Sequence, residues 1–210
     1  MSDLKKLDYS FYNRPDPTQI AKELLGKILV TQFDQVITSG RIVETEAYAG
    51  ISDRASHAYG GRRTNRTEVM YRNGGAAYVY LCYGIHSLFN VITNKLDEPH
   101  AILIRALEPI EGIGIMLQRT GKQKLDYSLT RGPGNVSKAL GLDTRHSGIS
   151  LFNNEIFIAD DGFKLKRGSI LATERIGVDY AGKDAKLLYR FIIKSNPYLS
   201  GNPQKNKVKT

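Results

Sequence analysis

Arg41-Ile-Val-Glu-Thr-Glu-Ala-Tyr48 is the stretch from which the rest of the chain is best interpreted, because apolar and β-branched residues are mixed there with two glutamates. Side chains of a strand alternate between faces, so Ile42, Glu44, Glu46 and Tyr48 are predicted to share one face. A core strand normally excludes charge. The octapeptide alone is compatible both with a buried strand and with an edge strand that carries two surface glutamates. The rest of the chain has to decide between these two interpretations.

The charge balance of the chain favours an anionic partner. Its 210 residues contain 30 Lys and Arg against 21 Asp and Glu, a formal net charge of +9. Nucleic acid is the first candidate, since a membrane surface would call for a basic amphipathic helix that is not evident. The length predicts one domain over residues 1–200, followed by a basic tail at 201–210 that is expected to be disordered.

Cysteine and histidine usage argues against disulfides and a metal site. The single cysteine, Cys82, cannot form an intramolecular disulfide, which suits a reducing interior. The four histidines show no paired ligand spacing, so no metal is expected. Neither a signal peptide nor a membrane-length apolar run is evident. We expect an intracellular protein, cytoplasmic or nucleoid-associated in a bacterium and nuclear in a eukaryote.

The order of helix and strand signals predicts an α+β domain. Helices are predicted from Asp16 to Gly26, from Pro109 to about Arg119, and from the Arg131-Gly-Pro-Gly-Asn135 run to Leu140. Strands are predicted at 27–33, 41–48, 76–83, 88–93, 101–107, 149–152, 155–159, 169–173 and 188–193. Thr38-Ser-Gly40 is interpreted as the turn that leads into the Arg41–Tyr48 strand.

Two consecutive strands form a predicted hairpin around Gly84. Tyr83 then stands at its tip, where an exposed aromatic side chain is unfavourable unless it inserts into a partner. Asn90 lies in the returning strand among apolar residues, so its amide needs hydrogen-bond partners. The hairpin is therefore a candidate contact element.

Arginine is concentrated after the first glycine pair, among tyrosines and a methionine. Interleaved arginine and aromatic residues are typical of surfaces that contact phosphates and bases, although a solvated loop has the same composition. The Arg131-Gly-Pro-Gly-Asn135 run precedes a predicted helix, and backbone amides at such a start can hold a phosphate. An ordinary helix start explains the same residues. The candidate contacts to a nucleic-acid backbone are Arg62, Arg63, Arg66, Arg72 and Arg131.

Arg105 interrupts the strongly apolar strand at 101–107. A guanidinium in such a run needs a carboxylate partner, because an unpaired buried charge is costly. Glu46 and Glu44 are the natural candidates, and a pairing with either would favour the buried reading of the Arg41–Tyr48 strand.

Several motifs in a fixed order now give a family resemblance. The chain is similar to the alkyladenine (3-methylpurine) DNA glycosylases over residues 10–200. The resemblance implies a single α+β domain built on a curved, mainly antiparallel sheet flanked by helices, with a protruding β-hairpin. It rests on Arg41–Tyr48, His57-Ala-Tyr-Gly-Gly61, Tyr78-Val-Tyr-Leu-Cys-Tyr-Gly84 with Asn90, Leu103-Ile-Arg-Ala-Leu-Glu-Pro109, Arg131-Gly-Pro-Gly134 and Arg175-Ile-Gly-Val178.

The resemblance implies an enzyme that cuts the bond between a damaged purine and deoxyribose in double-stranded DNA, without metal or organic cofactor. By position, Glu46 matches the general base that activates the attacking water. Arg105 matches the arginine that helps to hold that water, and Val178 the residue whose backbone carbonyl does so.

The same resemblance assigns the residues that handle the extruded base. Tyr48, His57 and Tyr80 match the pocket that sandwiches and contacts it. Asn90 matches the residue that discriminates against the amino group of normal guanine, and Tyr83 the side chain that fills the gap left in the duplex. The segment 64–70 and the region after Arg119 differ from better-known members, so the lesions preferred and the DNA contacts are left open there.

No helix-hairpin-helix with a nucleophilic lysine is evident, so a water nucleophile and no strand cleavage are predicted. The substrates expected are alkylated purines of the 3-methyladenine class, with hypoxanthine and ethenoadenine as further candidates. The alternatives are a damaged-DNA-binding protein without catalysis and a general nucleic-acid-binding module. A monomer suffices for each reading, and the role of Glu44 stays open.

Overall fold

The computed structural model describes residues 4–201, so the tail predicted at 201–210 lies outside this range apart from Gly201. Within this range, nine antiparallel strands form one open sheet in a single α+β domain, as predicted. The strands are β1 (Lys5–Lys6), β2 (Ile28–Phe33), β3 (Val36–Tyr48), β4 (Ala77–Cys82), β5 (His86–Thr93), β6 (His100–Glu111), β7 (Ile156–Asp160), β8 (Ile170–Thr173) and β9 (Arg190–Ile193). The α-helices are α1 (Tyr9–Tyr12), α2 (Pro17–Leu24), α3 (Ile113–Thr120) and α4 (Pro133–Leu140).

The main path of the sheet runs β1-β7-β2-β3-β6-β5-β4, and β9 with its neighbour β8 branches off β3. One large apolar core lies between the sheet and helices α2, α3 and α4. Its centre includes Ile20, Leu24, Phe89, Ile104 and Leu140, all fully buried. No helix within residues 4–201 is long and apolar enough to cross a membrane.

Strand β3 is central and buried, so the edge-strand reading of Arg41–Tyr48 is wrong. It pairs with β6 along one side, and on its other side first with β2 and then with β9. The pairing of β3 with β6 shifts register around Val43. At the same point, the partner on the other side of β3 changes from β2 to β9. A bulge of this kind adds one residue and bends the strand.

The bulge also corrects the predicted alternation of side chains. Ile42 packs in the main core together with Ala47, whereas Val43 packs in a small cluster that includes Ile192. Ile42 therefore does not share the face of Glu44, because the extra residue reverses the alternation at that point.

The turn predicted at Thr38-Ser-Gly40 is wrong, and the chain turns at Asp34-Gln35 instead. Both of these residues have positive φ, 49° and 64°, and join β2 to β3 as a two-residue hairpin. Gly40 lies inside β3, where an added Cβ would come within 2.9 Å of the Leu107 Cβ. Close packing against β6, rather than a turn, explains this glycine.

The helix predicted to begin at Pro109 starts later, at Ile113. Strand β6 continues through Pro109 to Glu111, and Pro109 pairs with Gly40 where the β3–β6 register shifts. Proline lacks an amide donor and is tolerated in a sheet at such irregular positions. The predicted strand at 149–152 is reduced to a single bridge between Ala76 and Ser150.

Candidate active site

A cavity of about 600 Å³ opens where the end of β3, the β4–β5 hairpin, β6, the start of α4 and the loop at 176–180 meet. Its volume lies in the range of small-molecule sites. The predicted site residues on its wall are Tyr48, His57, Tyr80, Tyr83, Asn90, Arg105 and Val178. Residues separated by up to 130 positions are thus brought to one place.

Glu46 is fully buried behind this wall and accepts three hydrogen bonds. Its Oε2 accepts from the Tyr48 hydroxyl at 2.9 Å and from Nη1 of Arg105 at 3.2 Å. Its Oε1 accepts from the backbone N–H of Ile176 at 2.7 Å. A carboxylate has about four acceptor positions, so one remains, on Oε1. Sequence reasoning did not find the Ile176 contact, because a backbone donor leaves no residue-type signal.

Glu44 is the centre of a buried ionic cluster, which answers the question that the sequence left open. Its Oε1 accepts from Nε of Arg105 at 2.9 Å and from Nε of Arg190 at 2.7 Å. Ser200 donates its backbone N–H to Oε2 at 2.6 Å and its hydroxyl to Oε1 at 2.7 Å. The predicted carboxylate partnership of Arg105 is confirmed with both Glu44 and Glu46.

The cluster determines the charge state of Glu44. Burial by itself would raise its pKa, but the charges of Arg105 and Arg190 and the hydrogen bonds from Ser200 and Arg190 hold the pKa below its usual 4.5. Glu44 is therefore an anion at neutral pH, and its lone pairs are occupied by structural donors. It holds Arg105 in place beside Glu46.

Aromatic side chains form one side of the cavity. The His57 and Tyr80 rings meet edge to face with centroids 4.5 Å apart, and the Tyr78 and Tyr80 centroids are 5.5 Å apart. Nδ1 of His57 lies 2.9 Å from the Tyr78 hydroxyl. On the side of β3, the Arg175 guanidinium carbon lies 4.8 Å from the centre of the Tyr48 ring. These planar surfaces can stack on a purine.

His57 is expected to stay uncharged well below neutral pH. Burial and the charges of Arg66 and Arg62 lower its pKa from 6.5 to about 4. The folded-state pKa lies below the unfolded one, so the free energy of unfolding should rise with pH between about 4 and 6.5. An NMR titration of the His57 ring should give a midpoint near 4; a midpoint near 6.5 would contradict this environment.

Asn90 is buried, and its amide nitrogen is fully used. Nδ2 donates to the Tyr78 carbonyl at 3.1 Å and to the Leu88 carbonyl at 3.2 Å. The first bond crosses to β4 and the second stays within β5, and together they fix the side chain at the cavity wall. The predicted need of this amide for partners is confirmed.

The tip of the β4–β5 hairpin is strongly exposed. Tyr83 is 88% exposed and Ile85 is 74% exposed, on either side of Gly84. Tyr83 has φ of +51°, which is uncommon for a residue with a side chain. The hairpin tip thus exposes two large side chains, of which Tyr83 lines the cavity, and the sequence pattern singled out only Tyr83.

A buried pair that the sequence analysis missed joins the loops of the site. Arg175 donates through Nη2 to Oδ1 of Asp53 at 2.8 Å and through Nη1 to the Ala47 carbonyl at 2.9 Å. Asp53 also accepts from the backbone N–H groups of Ala49 and Ala55. Burial lowers the pKa of Arg175, but its hydrogen bonds to Asp53 and the nearby negative charges raise it overall, so the guanidinium stays charged.

Val178 lies at the cavity wall, four per cent exposed, and its carbonyl already accepts the Ala181 N–H at 2.9 Å. A carbonyl has a second lone pair, which leaves one acceptor position. The loop Arg175–Val178 thus places the Ile176 N–H on Glu46 and Val178 on the wall of the cavity.

The arginines predicted to contact a nucleic-acid backbone differ in their surroundings. Arg63 forms ion pairs with Glu68 and Asp97, each at 2.7 Å, on the surface. Arg72 donates to the Gly148 carbonyl, and Arg62 is exposed. Arg66 and Arg131 lie on the cavity wall. Within residues 4–201, no three His, Cys, Asp or Glu residues are grouped as metal ligands would be.

Comparison with known proteins gives a consistent result over most of the chain. A family model described as methylpurine-DNA glycosylase matches residues 10–197. A protein of Chlamydia felis is 48% identical over 89% of this chain and 95% of its own length. A Clostridium perfringens protein is 43% identical over 93% of this chain and 98% of its own. Both carry the name "Putative 3-methyladenine DNA glycosylase".

Proposed function

This chain belongs to the methylpurine-DNA glycosylase family, and from that premise we propose that it is a monofunctional DNA glycosylase. It removes alkylated purines of the 3-methyladenine class from double-stranded DNA by hydrolysis, and it also accepts hypoxanthine and ethenoadenine. The names of its relatives and the cavity described above support this proposal.

The observation that carries the proposal is the setting of Glu46. A general base must reach a water molecule while staying ionised, and Glu46 is held beside the Arg105 guanidinium with one acceptor position left on Oε1. In the proposed reaction, a water between Oε1 and the free lone pair of the Val178 carbonyl attacks the sugar carbon. Glu46 takes its proton and stabilises the positive charge that develops on the sugar.

The base must leave the duplex before this attack, because the bond to be cut is inaccessible within the stack. Extrusion costs a few kcal/mol, and less for a damaged or mispaired base. In the proposal, Tyr48, His57 and Tyr80 receive the base, and Asn90 rejects the amino group of guanine. Stacking on such rings contributes about 1–3 kcal/mol per base, which is of the size needed to offset extrusion.

Replacing Tyr83 by alanine should weaken capture of the lesion about tenfold or more, since the ring that occupies the vacated space is lost. Hydrolysis after capture should change less. Single-turnover rates measured over a range of protein concentrations separate these two steps. Tyr9→Ala, which removes another exposed tyrosine outside the cavity, is the control. Unchanged affinity and rate in Tyr83→Ala would remove this residue from base extrusion.

The proposed function is tested with purified protein and duplexes that carry one hypoxanthine or one ethenoadenine, together with methylated DNA. Release of a purine base from any of them is expected. Tight, selective binding to the lesion duplexes without release would favour the damage-binding alternative. Equal affinity for damaged and undamaged duplex would favour a general nucleic-acid-binding module.

A further inference from the structure

Arg175 connects three segments of the site, although its side chain is fully buried and does not line the cavity. It donates through Nη1 to the Ala47 carbonyl at 2.9 Å. Through Nη2 it donates to Oδ1 of Asp53 at 2.8 Å and to the Asp184 carbonyl at 3.2 Å. A single side chain thus ties the end of β3 to two loops of the site.

The guanidinium of Arg175 is held between two aromatic rings. Its carbon lies 4.8 Å from the centre of the Tyr48 ring and 5.3 Å from that of Tyr189. Tyr48 lines the cavity and Arg175 does not, so the guanidinium supports the Tyr48 ring from the side away from the cavity. A planar guanidinium stacks on aromatic faces, and the compact ammonium of lysine does not reproduce this contact.

The residue that follows Arg175 is bonded directly to the proposed general base. The backbone N–H of Ile176 donates to Oε1 of Glu46 at 2.7 Å, and the Tyr48 hydroxyl donates to Oε2 at 2.9 Å. Because Arg175 and Ile176 are adjacent, the contacts of the Arg175 side chain also fix the position of the Ile176 N–H. Two of the three hydrogen bonds that Glu46 accepts therefore come from residues that Arg175 holds.

Stability alone does not account for an arginine at this position. Its Nε has no hydrogen-bond acceptor within residues 4–201, and an unpaired buried donor destabilises the folded state. Replacing a buried ion pair by apolar residues of similar volume is often neutral or stabilising. A buried charged pair that is retained despite this is typical of a functional site.

We propose that Arg175 is a positioning residue for base release, which holds the Tyr48 ring and the Ile176 N–H in place. Both of these groups donate to Glu46, the proposed general base. Since Arg175 does not line the cavity, it acts on the reaction only through them. The inference rests on the proposed function and deepens it, because it concerns the same site.

Arg175→Lys tests this inference in single-turnover release of alkylated bases from methylated duplex DNA. Lysine keeps a positive charge beside Asp53, but it cannot bond to Ala47, Asp53 and Asp184 together or stack as a plane. We expect the rate at saturating protein to fall about 10–100-fold, because a displacement of about 1 Å at a reacting group has an effect of this size.

Arg41→Lys is the matched control, because Arg41 has the same kinds of contact outside the cavity wall. Its guanidinium forms two hydrogen bonds to Asp161, donates to the Gly26 carbonyl and lies 4.3 Å from the centre of the Phe163 ring. Its rate of base release should equal that of the wild type. The thermal midpoints of both variants are measured alongside, so that a fall in rate is not mistaken for unfolding.

Combination with Glu46→Gln separates positioning from a general loss of structure. If Arg175 acts through Glu46, then Arg175→Lys should lower the rate by no more than about threefold once the general base is absent. A purely structural role would lower the rate by the same factor in both backgrounds. The residual rate of Glu46→Gln is measured above the reaction without protein.

Arg175→Met/Asp53→Asn is the second variant, because it removes both charges together and leaves no buried charge unpaired. It should show the same fall in rate and the same dependence on Glu46. An unchanged rate in folded Arg175→Lys, an equal fall in both backgrounds, or loss of folding in both variants overturns the inference and leaves the proposed function standing. Failure of the wild-type protein to release any base overturns both.

Discussion

Glutamine in place of Glu46 is expected to lower the single-turnover rate of base release by about 10²–10⁴-fold, the usual contribution of a general base. Affinity for the lesion duplex should change little, since the side chain is buried behind the cavity wall. The amide can still accept the Ile176 N–H, so the shape of the site is retained. What is lost is the negative charge beside Arg105 and the capacity to take a proton from water.

The control is Glu155→Gln, which makes the same change at an exposed position outside the cavity wall. It should excise bases at the wild-type rate. The thermal midpoint of Glu46→Gln has to be measured as well, because Arg105 loses one of its partners. A folded Glu46→Gln variant that releases bases at the wild-type rate would show that another group activates the water.

Glutamine in place of Glu44 is expected to lower the free energy of unfolding by about 3–5 kcal/mol, the usual effect of removing one partner from a buried ion pair. The substitution keeps the volume of the side chain but leaves Arg105 and Arg190 facing an uncharged amide. Urea unfolding at pH 7 measures the loss, and Glu155→Gln again serves as the control, with a change within about 0.5 kcal/mol. A change this small in Glu44→Gln would contradict the structural role of the cluster.

The same variant gives a pH test. The folded-state pKa of Glu44 is lowered, so its contribution is fully present above the unfolded value of 4.5 and is lost as the pH falls through the folded pKa. The wild-type protein should therefore lose its advantage over Glu44→Gln on acidification below about 4.5. The stability change attributed to His57 is common to both proteins and cancels in the difference.

The sequence predicted the parts of the site that follow from a local requirement. A guanidinium inside an apolar strand requires a carboxylate, so the partnership of Arg105 with the Glu44–Glu46 strand could be inferred. The hairpin with Tyr83 at its tip followed from two apolar runs around a glycine. By contrast, the Glu44–Arg190 and Arg175–Asp53 pairs join residues more than 120 positions apart, and neither partner's neighbours indicate the contact.

The errors in the fold have a common physical cause, which is that tertiary packing overrides local signals. Gly40 has the residue type of a turn but is required by close packing against β6. Pro109 has the residue type of a helix start but lies at a register shift inside β6. Strict alternation along β3 failed at the bulge near Val43, where the strand changes its partner from β2 to β9.

The central claim is that this protein releases a damaged purine by hydrolysis and leaves the DNA strand intact. The most direct measurement is a single-turnover reaction on an end-labelled duplex with one hypoxanthine, in which released base, strand length before and after alkali, and borohydride-trapped protein are followed together. The account predicts base release, a full-length strand that breaks only after alkali, and no trapped complex. Strand cleavage without alkali, a trapped covalent complex, or no base release would contradict it.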